Sequence, residues 1–139
     1  MILLDTCVVS ESLRPNPSSR VLEWVDGLPE YQVYLPSVVI GELQKGVALL
    51  PAGKKRTALQ LWLVQLRERF KNRILYFDEE TAVDWGILTA KLEKSGRKIP
   101  VIDSMLAAIA LRNAALLATR NLNHYEGTGV EILNPWNTG

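Results

Sequence analysis

Apolar residues recur along this chain in two alternating rhythms. Runs of three to five consecutive apolar positions, the mark of buried strands, are separated by longer stretches with apolar residues every three or four positions, the mark of helices. Ile2-Leu3-Leu4 is the first short run and predicts a strand. Pro15 and Pro17 mark a turn, and Ser18 or Ser19 is placed to cap a helix carrying Val21, Trp24 and Val25 up to Gly27. Val33-Tyr34-Leu35 predicts a second strand, closed by Pro36. Ser37 is then read as the cap of a helix reaching about Leu50, with Val39, Leu43 and Val47 on its inner face. Pro51-Ala52-Gly53 interrupts the pattern. A long helix follows, with Leu59, Trp62, Leu63, Leu66 and Phe70 aligned.

Ile74 to Phe77 predicts a third strand. Thr81 is read as opening a helix with Trp85, Leu88 and Leu92, ending near Ser95-Gly96. Another helix is expected from Asp103, with Leu106, Ile109 and Ala110 inward. Ala115 to Thr119 and Val130 to Leu133 predict the last two strands. Strands separated by helices require crossover connections and therefore a parallel sheet. The expected architecture is α/β, a single domain over residues 1–139 with no internal repeat or linker.

Composition narrows the function classes. A chain of 139 residues buries roughly two thirds of its unfolded surface and needs no covalent staple. Its only cysteine, Cys7, excludes an internal disulfide, a CxxC redox motif and a cysteine-rich zinc site. No apolar run is long enough to span a membrane, and Met1 to Asp5 lacks the basic start of a signal peptide, so a cytoplasmic location is expected. Net charge is +1, yet it is unevenly spread. Residues 54–73 hold seven Lys or Arg and one acid, while the remainder of the chain is net negative. That segment is either a solvated helix face or an attractor for phosphate.

The acids are more informative by place than by number. In parallel α/β sheets, ligands bind at the carboxyl ends of strands. Asp5-Thr6 follows the first strand, Glu42 lies one to two turns beyond the second, and Arg120-Asn121 follows Ala115 to Thr119. Asp103 stands behind the apolar Val101 and Ile102. Singly, each acid has a plainer role: Asp5 and Asp103 as caps, Glu42 on a wet helix face. Together they make an electronegative pocket that a cation would neutralise. Oxygen-only ligands suit Mg²⁺ or Mn²⁺, whereas zinc would call for more than His124 and Cys7. Such a site suits phosphoryl chemistry. GxSxG, Walker A, GxGxxG and HExxH patterns are absent from the sequence.

Five segments together resemble PIN-domain ribonucleases. They are Ile2-Leu3-Leu4-Asp5-Thr6 with Val8-Val9-Ser10; the Pro36–Val47 segment with its Glu42-Leu43 pair; Ile99 to Ala108 around Asp103; Leu117-Ala118-Thr119-Arg120-Asn121; and Ile132 to Trp136. The last is similar to the FitB branch of the VapC-type toxins. The resemblance implies a three-layer α/β/α sandwich around a mostly parallel sheet. It further implies an endoribonuclease dependent on Mg²⁺ or Mn²⁺, acting as toxin of a type II toxin–antitoxin pair. By carry-over, Asp5, Glu42 and Asp103 are the catalytic, metal-binding acids. Thr119 and Asn121 line the site, with Thr6 as an orienting hydroxyl. The implied partners are RNA, a cognate antitoxin protein and a second copy in a homodimer. The dimer enters a higher assembly with antitoxin and meets operator DNA only through it.

Two positions depart from the family pattern. Cys7 stands where Asn is frequent, and Asn121 where FitB-like chains carry Asp. A PIN-like module that binds nucleic acid or a partner with weak catalysis is therefore the alternative. Arg120, Lys54, Lys55 and Arg56 are candidate RNA contacts, and His124 is either a loop residue or a further contact near the site.

Overall fold

The computed structural model describes residues 1–137; the last two positions of the domain expected over 1–139 lie outside the described residues. Five short strands form one parallel sheet: β1 (Ile2–Leu4), β2 (Val33–Pro36), β3 (Ile74–Leu75), β4 (Leu116–Ala118) and β5 (Ile132–Leu133). Their spatial order is β3-β2-β1-β4-β5. The order reverses between β1 and β4, so the connections leaving these two neighbours run in opposite directions. In open parallel sheets such a switch point is where ligands bind, at the carboxyl edge. Ile2 pairs with Leu116 and Leu4 with Ala118, which brings the ends of β1 and β4 level.

Six helices complete a three-layer α/β/α arrangement. They are α1 (Thr6–Val9), α2 (Ser19–Asp26), α3 (Ser37–Ala48), α4 (Lys54–Arg69), α5 (Glu79–Lys94) and α6 (Val101–Arg112). Leu3, Leu35 and Leu117 lie fully buried in the three central strands, with Val39, Leu63, Leu106 and Ile109 from the helices against them. Each such side chain contributes roughly 1.5–3 kcal/mol of burial. Along α6, five consecutive residues from Leu106 to Ala110 are all buried, three of them alanines. A helix apolar on so many sides has to lie deep in the fold, and its small side chains let neighbours come close. No helix among the described residues is long and apolar enough to cross a membrane.

Several boundaries move from their expected places. Ser18 does cap α2, accepting from the Val21 N–H. Ser37 does not cap α3. It is already helical, Pro36 precedes it as the cap residue, and its hydroxyl accepts from the Phe77 N–H instead. Asp78, not Thr81, starts α5; its Oδ1 accepts both the Thr81 N–H and hydroxyl at 2.9 and 2.7 Å. Helix α6 begins at Val101, which places Asp103 inside its first turn. The outer strands β3 and β5 pair over only two residues each, because each has a neighbour on one side only.

Helices α5 and α6 end in the same way on different residues. The Arg97 N–H donates to Leu92 O and the Gly96 N–H to Glu93 O; likewise the Ala115 N–H donates to Ala110 O and the Ala114 N–H to Leu111 O. This is the Schellman closure, which needs a left-handed residue. Gly96 supplies it at φ +80°, whereas Ala114 is held at φ +49°.

Candidate active site

Asp5 directly follows β1 and is 3% exposed. Its Oδ1 accepts the Thr6 N–H at 2.7 Å, which caps α1 and fixes the carboxylate at the strand end. Its Oδ2 accepts the Thr119 hydroxyl at 2.6 Å, across the switch point between β1 and β4. Thr119 is fully buried, and its Oγ1 also accepts the Asn121 N–H at 3.1 Å. One hydroxyl thus ties Asp5 to the loop after β4.

Glu42, half-buried in the second turn of α3, accepts the Thr6 hydroxyl on Oε1 at 2.7 Å. Asp103 sits where the N-terminal end of α6 favours negative charge. Its Oδ2 lies 2.5 Å from Nδ1 of His124, in the turn Leu122–Tyr125. His124 is therefore no free loop residue; it holds one of the acids.

Electrostatics link the three. Burial is the first cause that raises the pKa of Asp5 above the usual carboxylate range. The Thr119 and Thr6 hydrogen bonds oppose this, and the charges of Asp103 and Glu42 add to it. No lysine or arginine pairs with any of the three among the described residues. Burial and Asp5 also push the Cys7 thiol up, so it stays a protonated, packed residue 3.8 Å from the Thr119 hydroxyl.

Does this cluster fit a divalent cation? Among the described residues no three His, Cys, Asp or Glu side chains are gathered closely enough to make a finished metal cage. The donor chemistry nonetheless fits. All three acids offer oxygen, and each uses only part of its roughly four lone-pair sites in the bonds described. No lysine or arginine offsets their charge, and their partners are hydroxyls, one amide and one imidazole.

The other expected residues are spread more widely. The Arg120 guanidinium stacks 4.6 Å above the Trp136 ring, which holds it beside the loop after β4. Lys54, Lys55 and Arg56 are exposed in the first turn of α4. They stand beyond the far end of α3, more than ~10 Å along the helix from Glu42 at 1.5 Å per residue. The rest of the basic segment divides. Arg73 is structural: it donates to Val33 O at 2.6 Å, Glu30 O at 2.7 Å and Arg69 O at 3.0 Å, and pairs with Glu30.

Two buried polar residues escaped the sequence reading. Tyr125 is 3% exposed, and its hydroxyl makes no hydrogen bond among the described residues. Burial, then the charges of Asp5 and Asp103, push that phenol far up, so it remains protonated. Glu11, beyond α1, is 2% exposed; its Oε1 lies 3.7 Å from Arg14 and its Oε2 has no hydrogen-bond partner. Neither follows from spacing. An apolar neighbourhood around Tyr125 looks in sequence like any core aromatic.

Comparison with known proteins agrees with the architecture. The PIN domain family pattern matches residues 2–128. The chain is 40% identical over 137 residues to toxin FitB of Neisseria gonorrhoeae, covering 98% of this chain and 99% of that protein. It is 36% identical over 137 residues to VapC ribonuclease Y4jK of Sinorhizobium fredii, with 98% of each covered. Among solved structures, FitAB bound to an IR36 DNA fragment superposes with a TM-score of 0.94 at 38% identity, covering 100% of this chain and 98% of the other. With its switch point, its acids and these likenesses in place, the chain belongs to the PIN-domain family.

Proposed function

We propose that this protein is an endoribonuclease dependent on Mg²⁺ or Mn²⁺ and the toxin of a type II toxin–antitoxin pair. The observation that carries the reading is the buried Asp5 carboxylate, its pKa raised, beside Glu42 and Asp103 with no lysine or arginine to balance them. Relatives named as a toxin and as a VapC ribonuclease support both the chemistry and the role.

Asp5, Glu42 and Asp103 would hold the cation, which when bound neutralises the acids and lends Lewis acidity to attack of water on an RNA phosphodiester. Thr119 and the Thr6 N–H keep Asp5 in place, and the Thr6 hydroxyl aims Glu42. Asn121 is anchored to the same threonine through its backbone and lines the opening. Arg120, Lys54, Lys55 and Arg56 supply positive charge for the RNA backbone.

Partners follow from the surface and from the relatives. A groove of about 390 Å³ between α2 and α4 is lined by Leu22, Val25, Trp62 and Leu66, and rimmed by Asp26 and Arg69. It suits an apolar segment of an antitoxin. The FitAB complex on DNA supports a higher assembly that meets operator DNA through the antitoxin. Val83 and Ile87, one turn apart and exposed on α5, support a homodimer, and the setting is the cytoplasm.

The test is cleavage of mixed cellular RNA by the antitoxin-free protein and by Asp5→Asn, with Mg²⁺, with Mn²⁺ and with EDTA. Metal-dependent cutting by the parent alone is expected. Binding of RNA without cutting in any metal would overturn the nuclease reading in favour of a PIN-like binding module.

A further inference from the structure

The Tyr125 hydroxyl is a buried donor with nothing to donate to. Leaving such a group unpaired costs stability, so a fold retains it only where something offsets the loss. Its surroundings narrow the choice. His124, its neighbour in the chain, already lies 2.5 Å from Asp103, and the turn that carries both packs on α6, so Asp103 is the acid nearest at hand; the charges of Asp5 and Asp103 are also felt at the phenol. Carboxylates only accept, so the phenol is the donor. The backbone around Tyr125 is pinned: its carbonyl accepts the Thr128 hydroxyl at 2.5 Å, and that hydroxyl accepts the Val130 N–H at 3.2 Å. The turn Leu122–Tyr125 is thereby held against α6, the helix that carries Asp103.

Resting on the reading of Asp5, Glu42 and Asp103 as cation ligands, we infer that Tyr125 is a positioning residue of that centre. Its hydroxyl donates to the Asp103 carboxylate when that carboxylate serves a divalent cation. In the structure described here Oδ2 of Asp103 is turned to His124. Holding a cation asks the carboxylate to share its lone pairs anew, and a fixed neutral donor beside it sets its orientation without cancelling its charge. Outer donors of this kind typically carry a factor of 10–100 in metal affinity.

Tyr125→Phe tests this, since it removes one oxygen and keeps the ring packed. Mn²⁺ is titrated by calorimetry against the purified protein, and thermal unfolding is followed with and without the ion. The expected result is a 10- to 100-fold weaker Mn²⁺ affinity with an unchanged or higher unfolding temperature in the metal-free protein. The same substitution in an Asp103→Asn background is expected to change Mn²⁺ affinity no further. A merely structural hydroxyl would do the reverse, lowering the metal-free unfolding temperature while leaving Mn²⁺ affinity alone, and that result overturns the inference. An equal loss of affinity with Asp103 present or absent also overturns it. If the parent binds no Mn²⁺ by either readout, the cation reading itself falls and takes this inference with it. If the parent and Tyr125→Phe bind equally, only this inference falls.

Discussion

Asp5 pays for its position in the metal-free protein. An acid whose folded pKa is raised binds more protons folded than unfolded, so its contribution to stability falls as pH climbs through the folded value. Asp5→Asn is therefore expected to raise the unfolding temperature of the metal-free protein at neutral pH. The gain should shrink as pH falls below the usual carboxylate range, where the unfolded acid is protonated too. Thermal scans from pH 3 to 8 check this. A parallel displacement at every pH would show that the gain has another source. Thr119→Val keeps the shape of a buried side chain but strips Asp5 of one donor and the Asn121 N–H of its acceptor. A loss of about 1–3 kcal/mol in urea unfolding is expected, together with weaker metal-dependent cleavage. At this scale the place of Asp5 directly after a strand was legible, whereas Glu42 and Asp103 stand inside helices. The sequence was silent on Tyr125 and Glu11, because burial of one polar atom depends on chain segments that periodicity does not relate.

Among the elements, helix ends explain both what was readable and what was not. Gly96 in the sequence announces the end of α5, and the structure puts it at the left-handed position. Ala114 performs the same closure without announcing it, since nothing about an alanine marks a helix end. It also bears the steric cost of that conformation, roughly 1–2 kcal/mol for a residue with a Cβ. Ala114→Gly is expected to stabilise the protein by about 1 kcal/mol, measured by denaturant midpoint at constant slope; no change would mean that greater freedom of the unfolded glycine chain cancels the relief. Helix faces were read correctly because an apolar stripe reports the core directly. The caps of α3 and α5 were misplaced because a serine or threonine near a helix start has several possible partners. Ser37 turned to Phe77, and Asp78 took the role assigned to Thr81. Arg73 belongs to this scale as well. It joins the end of α4 to the entry of β2 through three carbonyls, so Arg73→Lys, lacking the planar fork, is expected to lose about 1–3 kcal/mol in the same assay.

Across the whole molecule, charge and topology act together. Lys54, Lys55 and Arg56 lie exposed at the start of α4, where a helix N-terminus makes cations unfavourable. Replacing Lys54, Lys55 and Arg56 by alanine is expected to reduce RNA affinity. It should lower the slope of log affinity against log salt by about 2, at about 0.7 per phosphate contact on a single strand. An unchanged slope would place the RNA elsewhere. The sheet was legible as parallel from its alternation with helices, but its order was not, since that depends on which strands meet rather than on how each reads. That order has a temporal side. Asp5 and Thr119 stand 114 positions apart in the chain, yet meet across adjacent strands. A ribosome adding ~5–20 residues per second makes the second roughly 6–23 s after the first. Until β4 has left the ribosome and docked, the first acid waits without its threonine. A growing polypeptide of this sequence thus carries its first acid unsupported for as long as it takes to make and dock β4, and the proposed centre assembles only after that.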